Sequence, residues 1–359
     1  MSNRVAAYNE AVQAFQAGTP VVNSAITTTT TVFTLFLLLL SFGSLSFTLL
    51  GDIKKKSLLS YLISAIVASL SVGFISARAQ ADEYANDPNI FELTSSNFDK
   101  VIHGSNYTSI VKFYAPWCGY CQQLKPVWKK LGKAIGGGSK LSVNVAAVNC
   151  DKDYNKPLCA QYQISGFPTV MVFRPPKYDK SKAVGGRKSR HASEAYSGPR
   201  TVKAMSQFLS SRLKNYVKKL HNLDKDLVNW VNNDTDKAKV LLIAKSNSIS
   251  PLLKSLAIDF ITKVDFAMYG KYNDQPKTIE IDGKSVDVPK TEFSTLLYLD
   301  RDSGKLLPYD ATEKLDDKTK ISKWVKAVTQ VDPVEGPLSN RGKRLLKYKS
   351  KKKVEHDEL

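Results

Sequence analysis

Cysteine is scarce in this chain, four in 359 residues, and histidine is no commoner. A structural zinc site needs four ligands at suitable spacing. Cys118 and Cys121 have such spacing, but Cys150 and Cys159 are eight residues and two expected elements apart, which argues against zinc. No Cys/His finger pattern occurs, so the formal charge of +19 does not point to nucleic acid. Much of that excess is local. Residues 341–353, RGKRLLKYKSKKK, carry eight positive charges and no negative one. A basic, extended tail accounts for them without a nucleic-acid fold.

The apolar residues crowd toward the start. Residues 57–77 form an uncharged apolar run, preceded by Lys54, Lys55 and Lys56 and followed by Ala77-Arg78-Ala79. A basic region, an apolar region and a small-x-small site are the grammar of a secretory signal, with a mature start expected near Gln80. A second run at 32–50 is nineteen residues long, enough to span a bilayer. With lysines between them, the two runs fit a hairpin with both ends lumenal. The preceding TTTTT equally fits translated low-complexity DNA, so residues 1–50 are either a membrane segment or a gene-model artefact. Residues 1–79 are therefore set apart as the N-terminal signal and hydrophobic region. The chain ends in His356-Asp357-Glu358-Leu359. A C-terminal HDEL is an address read by a retrieval receptor, and it places the chain in the endoplasmic reticulum lumen. Sequons at Asn106 and Asn233 fit glycosylation there.

The remainder reads as alternating strands and helices. Strands are expected at 109–115, 141–149, 169–173 and 194–198. Helices are expected from Cys121 to the glycines near 136, over 156–164, and over 201–213. This is one α/β domain, residues 80–215. After a basic connection at 215–221 the rhythm returns over 222–332 without cysteine. Strands are expected at 239–245, 265–270 and 291–300, with helices over 250–264 and 315–328. Residues 333–359, with proline and glycine and then many lysines, are expected to be disordered.

The pair Cys118-Gly119-Tyr120-Cys121 sits where a buried strand gives way to a helix. A bridge across so short a loop removes little chain entropy, so stapling is a poor use for it. Exchange is a better one. At the strand-to-helix turn, free N–H groups and the helix dipole face the Cys118 sulfur and favour thiolate. Cys121, one turn in, is placed to resolve a mixed disulfide.

FYAPWCGYCQQLKP, with ISGFPTVMVF about forty residues later, resembles the catalytic domain of protein disulfide isomerases; the mature chain is similar to fungal two-domain members. The resemblance implies a thioredoxin fold followed by a second thioredoxin-like domain lacking cysteines and inactive in redox chemistry. It implies that Pro168, after Phe167, is cis and faces Cys118, that Arg200 is the mobile arginine that approaches the cysteines, and that Cys150 and Cys159 form a noncatalytic disulfide. Pro126 would kink the active-site helix. Trp117 is either packing or a wall against substrate. No metal or organic cofactor is implied. Partners would be unfolded or misoxidised secretory proteins, with glutathione or a thiol oxidase as redox source.

Two positions depart from that family. Tyr120 replaces a histidine whose imidazolium would support the neighbouring thiolate, so the pair is expected to be less oxidising than usual. Lys112 replaces a buried glutamate that relays the proton of the resolving cysteine. Either Lys112 is buried, neutral and a base, or it snorkels outward and the relay is absent. The expected activity is thiol–disulfide exchange at Cys118/Cys121. The alternative is a client-binding chaperone with slow redox turnover.

Overall fold

The computed structural model describes residues 82–136, 140–177, 190–233, 236–270, 278–281, 283–288, 294–309 and 314–345. The two apolar runs, the expected processing site and the terminal HDEL lie outside them. All described residues belong to one unit, Gln80–Leu359. No helix among them is long and apolar enough to cross a membrane.

The first sheet contains β1 (Phe91–Leu93), β2 (Thr108–Tyr114), β3 (Val143–Asn149), β4 (Thr169–Arg174) and β5 (Ala192–Ala195), in the order β1-β3-β2-β4-β5. β1, β3 and β2 run parallel; β4 and β5 are antiparallel. Every residue of β2 and β3 is buried, as befits central strands covered on both faces. Side chains alternate along β2. Ile110 and Tyr114 pack with α2 (Gly119–Ile135) and α4 (Val202–Ser211). Val111 and Phe113 face α1 (Phe98–Val101) and α3 (Lys156–Gln161). The same alternation turns Lys112 toward α2. That helix buries Cys121, Leu124, Trp128, Leu131 and Ile135, a stripe at three- and four-residue intervals, and carries Pro126 inside it.

The second sheet repeats this plan. β6 (Val217–Leu220), β7 (Ala238–Ile243), β8 (Val264–Tyr269), β11 (Thr295–Asp300) and β12 (Lys305–Pro308) lie in the order β12-β11-β7-β8-β6. Three are parallel and two antiparallel, in the positions seen in the first sheet. α5 (Leu223–Asn232), α6 (Pro251–Asp259) and α7 (Lys318–Thr329) cover it. A hairpin, β9 (Thr278–Ile281) and β10 (Lys284–Asp287), stands where the first lobe has α3. Its turn uses Gly283 at φ +73°, a backbone region open to glycine at little cost. Both sheets have the strand order of a thioredoxin fold, and all four cysteines fall in the first lobe.

Several expectations need correction. Residues 215–221 are not a connection: they contain β6, the edge strand of the second sheet. With only four residues, two of them lysines, β6 carries too little apolar pattern to show itself. The last strand of the first sheet spans 192–195 rather than 194–198, and α6 stops at Asp259 rather than near 264. Residues 333–345 are folded, not disordered, and return to the first lobe as a strap. Val334 N and Glu335 N donate to the Asp259 carbonyl, at 2.7 and 3.1 Å. Glu335 Oε1 accepts from Asn106 N and Nδ2, both at 3.0 Å. Arg341 donates to the carbonyls of Gly104 and Lys100, and Leu345 packs against the α1 side of the core.

The lobes also meet directly. Ile258 of α6 is part of the first lobe's core. Beside it, buried Asp259 accepts from Lys318 Nζ at 2.7 Å, Tyr107 OH at 2.5 Å and Ser142 Oγ at 3.0 Å. Burial pushes the Asp259 carboxyl up and the Lys318 ammonium down, each opposed by the other's charge.

Candidate active site

β2 ends at Tyr114, and four residues later Cys118 caps α2 in an extended conformation. The caps follow from local geometry: the Cys118 carbonyl already accepts from Cys121 N at 3.0 Å and Gln122 N at 3.1 Å, while its side chain stays outside the helix. The first-turn N–H groups and the dipole are thus directed at its sulfur. Both cysteines are buried, but Cys118 keeps 9% exposure and Cys121 none, so what access the pair has lies at the outer residue. Cys121 is pushed up to about 12, first by burial and then by its hydrogen bond with Cys118; the charge of Lys112 works the other way.

β4 supplies the opposite wall. The Phe167–Pro168 peptide is cis. The Phe167 carbonyl lies 3.5 Å from Cys118 Sγ. Arg200 Nη2 donates to the Pro168 carbonyl at 3.1 Å, which puts this arginine beside the proline and not on either sulfur. Trp117 is 65% exposed and Tyr120 70%, so both present ring surface to solvent. Trp117 is nonetheless held: its indole N–H donates to Asp151 Oδ1 at 2.8 Å, and its ring meets Phe167 edge-on. A Cβ on Gly119 or on Gly166 would touch nothing within 4 Å, so neither glycine is required by internal packing.

Below the thiols, Lys112 is fully buried and does not snorkel. Its three N–H donors have three acceptors: Tyr84 OH at 2.7 Å, the Cys121 carbonyl at 3.1 Å and Glu83 Oε2 at 3.3 Å. The Tyr84 and Tyr114 rings lie 5.0 and 4.8 Å from Nζ. Burial pulls the ammonium down, and Glu83 opposes it. This is a cage for an ammonium. The outward Lys112 is therefore corrected: the side chain stays inside, where burial favours the neutral amine and Glu83 the ammonium. Glu83 and Tyr84 escape sequence reading because they lie in a short turn just past the expected mature start. The signal that would have found them is physical: a buried lysine on a central strand requires an anion from somewhere. Asp151 is missed for the same reason, a loop residue defined only by its partner.

Cys150 and Cys159 are bonded to each other, with a Cα–Cα distance of 6.0 Å, between the end of β3 and α3. Asn106 is half-buried with its amide bonded to Glu335; Asn233 is exposed at the end of α5. In the second lobe the N-cap matching Cys118 is Ser250, whose Oγ accepts from Leu253 N at 3.2 Å.

The Thioredoxin family matches residues 89–210. Protein disulfide-isomerase MPD1 of Saccharomyces cerevisiae is 38% identical over 302 residues, covering 77% of this chain and 92% of its own. Human protein disulfide-isomerase A6 is 38% identical over 135 residues, 38% of this chain and 26% of its own length. Among solved structures, the zinc-bound form of human ERp44 aligns over 66% of this chain and 59% of its own, at 16% identity and a TM-score of 0.30. The chain belongs to the protein disulfide-isomerase family, and its activity is thiol–disulfide exchange on a thioredoxin fold.

Proposed function

We propose that the chain works in the endoplasmic reticulum lumen, where it forms, reduces or rearranges disulfides of secretory proteins at Cys118/Cys121. The HDEL terminus and the apolar run at 57–77 support the location. The observation that carries the chemistry is the contrast between the two cysteines: one at a helix N-terminus that keeps slight exposure, the other one turn behind it and fully buried. Cys118 attacks a sulfur of the client, forming a mixed disulfide and releasing the client's other sulfur. Cys121 then attacks Cys118 Sγ and frees the client. Run backward, the same steps donate a disulfide. The open space over Gly119 and Gly166, with Trp117, Tyr120 and Phe167 around it, receives the client chain. Arg200 serves the pair through Pro168. The Cys150–Cys159 bridge is structural, and the second lobe, with Ser250 at its equivalent cap, takes no part in exchange. Glutathione or a thiol oxidase resets the dithiol.

Reactivation of scrambled ribonuclease tests this reading. The wild-type chain is expected to restore ribonuclease activity, and Cys118→Ser to abolish it. The exposed aromatics also give a holding chaperone a surface. Folding assistance retained by a Cys118→Ser/Cys121→Ser variant favours that second reading, and its complete loss favours exchange.

A further inference from the structure

Two of the four histidines meet in the first lobe. His103, just past α1, and His191, just ahead of β5, are both buried, with ring centroids 5.3 Å apart. Phe98 and Phe173 enclose His103 edge-on, at 5.7 and 6.0 Å. The partners of each nitrogen assign the protons. The backbone N–H of His191 donates to His103 Nδ1 at 3.1 Å, so Nδ1 offers a lone pair. The neutral ring then carries its proton on Nε2, 3.0 Å from Tyr162 OH. His191 Nε2 donates to the Ser105 carbonyl at 2.9 Å. Residues 103–106 are thus tied to the start of β5 through both imidazoles. The strap lands on the same residues: Arg341 donates to the Gly104 carbonyl, and Glu335 accepts from Asn106 N and Nδ2.

We propose that His103 is a proton-operated latch for the strap: neutral, it holds residues 103–106 in place beneath residues 335–345, and protonated, it releases both. A proton on Nδ1 turns an acceptor into a donor, so two N–H groups face each other across 3.1 Å. The charged and titratable groups around the ring come from every side. Asp99 of α1 lies 3.8 Å from Nε2, and Arg190, ahead of β5, lies 3.8 Å from the same carboxylate oxygen. Tyr162 stands at the end of α3, and β4 contributes only the uncharged Phe173. The strap brings Arg341 and Glu335. Asp99 favours an imidazolium, but it is largely exposed and shared with Arg190, so solvent screens it. Burial holds His103 below the ordinary histidine range, Asp99 opposes that, and Arg190 adds to it. His103 therefore binds its proton more weakly folded than unfolded. The latch contributes fully above about pH 6.5, and its contribution is lost as pH falls through the lower folded value. The strap runs on into the lysine-rich segment and HDEL. Its release extends the tether of that terminus back from residue 346 to residue 335. On the lumenal reading given above, presentation of the retrieval address then depends on pH; the latch itself rests on no reading of the exchange chemistry.

Hydrogen–deuterium exchange of the full chain, corrected for the intrinsic pH dependence of amide exchange, tests the latch. Ser339 N, Gly342 N and Lys343 N are bonded within the strap and report its order. In wild type their protection is expected to fall about tenfold between about pH 7.5 and about pH 5. His103→Asn places a non-titrating amide oxygen near the His191 N–H and is expected to keep the strap protected at both pH values. Equal protection of the wild-type strap at the two pH values overturns the proposal. So does the same loss in His103→Asn, which would assign the transition to Glu335 or Asp259. Should His103→Asn fail to fold, the exposed substitution Asp99→Asn decides. Removing that carboxylate is expected to move the midpoint of strap release to lower pH, and an unmoved midpoint refutes a latch worked by His103.

Discussion

Tyr120 stands between the two thiols with most of its ring in water. A phenol there gives the neighbouring sulfur no positive charge. Replacement by histidine would place an imidazolium at the same helix N-terminus, stabilise the thiolate and with it the reduced pair. Potentials in this fold range from about −270 mV for thioredoxin to about −180 mV for protein disulfide isomerase. Tyr120→His is expected to move the pair upward by roughly 30 mV or more, equal to about 1.4 kcal/mol for two electrons. Equilibration with glutathione measures it, and an unchanged or lower potential contradicts the electrostatic account. At this scale the sequence shows the reactive pair and its neighbours because their spacing is local. It hides Glu83, because the partner of a buried charge is set by folding and not by distance along the chain.

At the scale of elements, the unit that matters is β2, its turn and α2. Its seven-residue buried strand, rich in β-branched and aromatic residues, and the stripe from Cys121 to Ile135 are legible because each is a long local pattern. β6, β12 and the β9–β10 hairpin are not legible. Each strand has four residues and at least one lysine or glutamate, and they hold together through pairing with neighbours, not through their own pattern. Beside α2, the Cys150–Cys159 bridge closes a loop with a sequence separation of nine. It lies next to Asp151, the residue that holds the Trp117 indole. Loop-closure entropy gives such a bridge about 2–3 kcal/mol. Cys150→Ala/Cys159→Ala is expected to lose that much in denaturant unfolding, while Cys118 keeps its place at the end of β2. A loss below about 1 kcal/mol would show that native packing fixes this loop without the bond.

At the scale of the molecule, two sheets with the same strand order are joined where a buried ion pair of one lobe accepts hydroxyls from the other. Lys318 and Asp259 come from the second lobe, Tyr107 and Ser142 from the first. Removing one member of a buried pair leaves an uncompensated charge, at a cost of about 3–5 kcal/mol. Asp259→Asn is expected to destabilise by that amount, and addition of Lys318→Met to recover a large part of it, read from the denaturant midpoint. A single variant no less stable than wild type would show that the cluster is incidental. The repeat of the fold is legible in the sequence; the lock is not, since its members are scattered from 107 to 318.

The strap has a consequence for how the chain is made. The amide of Asn106 ends up bonded to a carboxylate that lies 229 positions further on. At about 5–20 residues per second, synthesis leaves roughly 10–45 s between the two. During that interval Asn106-Tyr107-Thr108 has no Glu335 to cover it, and afterwards sugar and strap would compete for a single nitrogen. Were Asn106 to carry a sugar, the timing of the ribosome, more than the finished surface, would decide which of them arrives first.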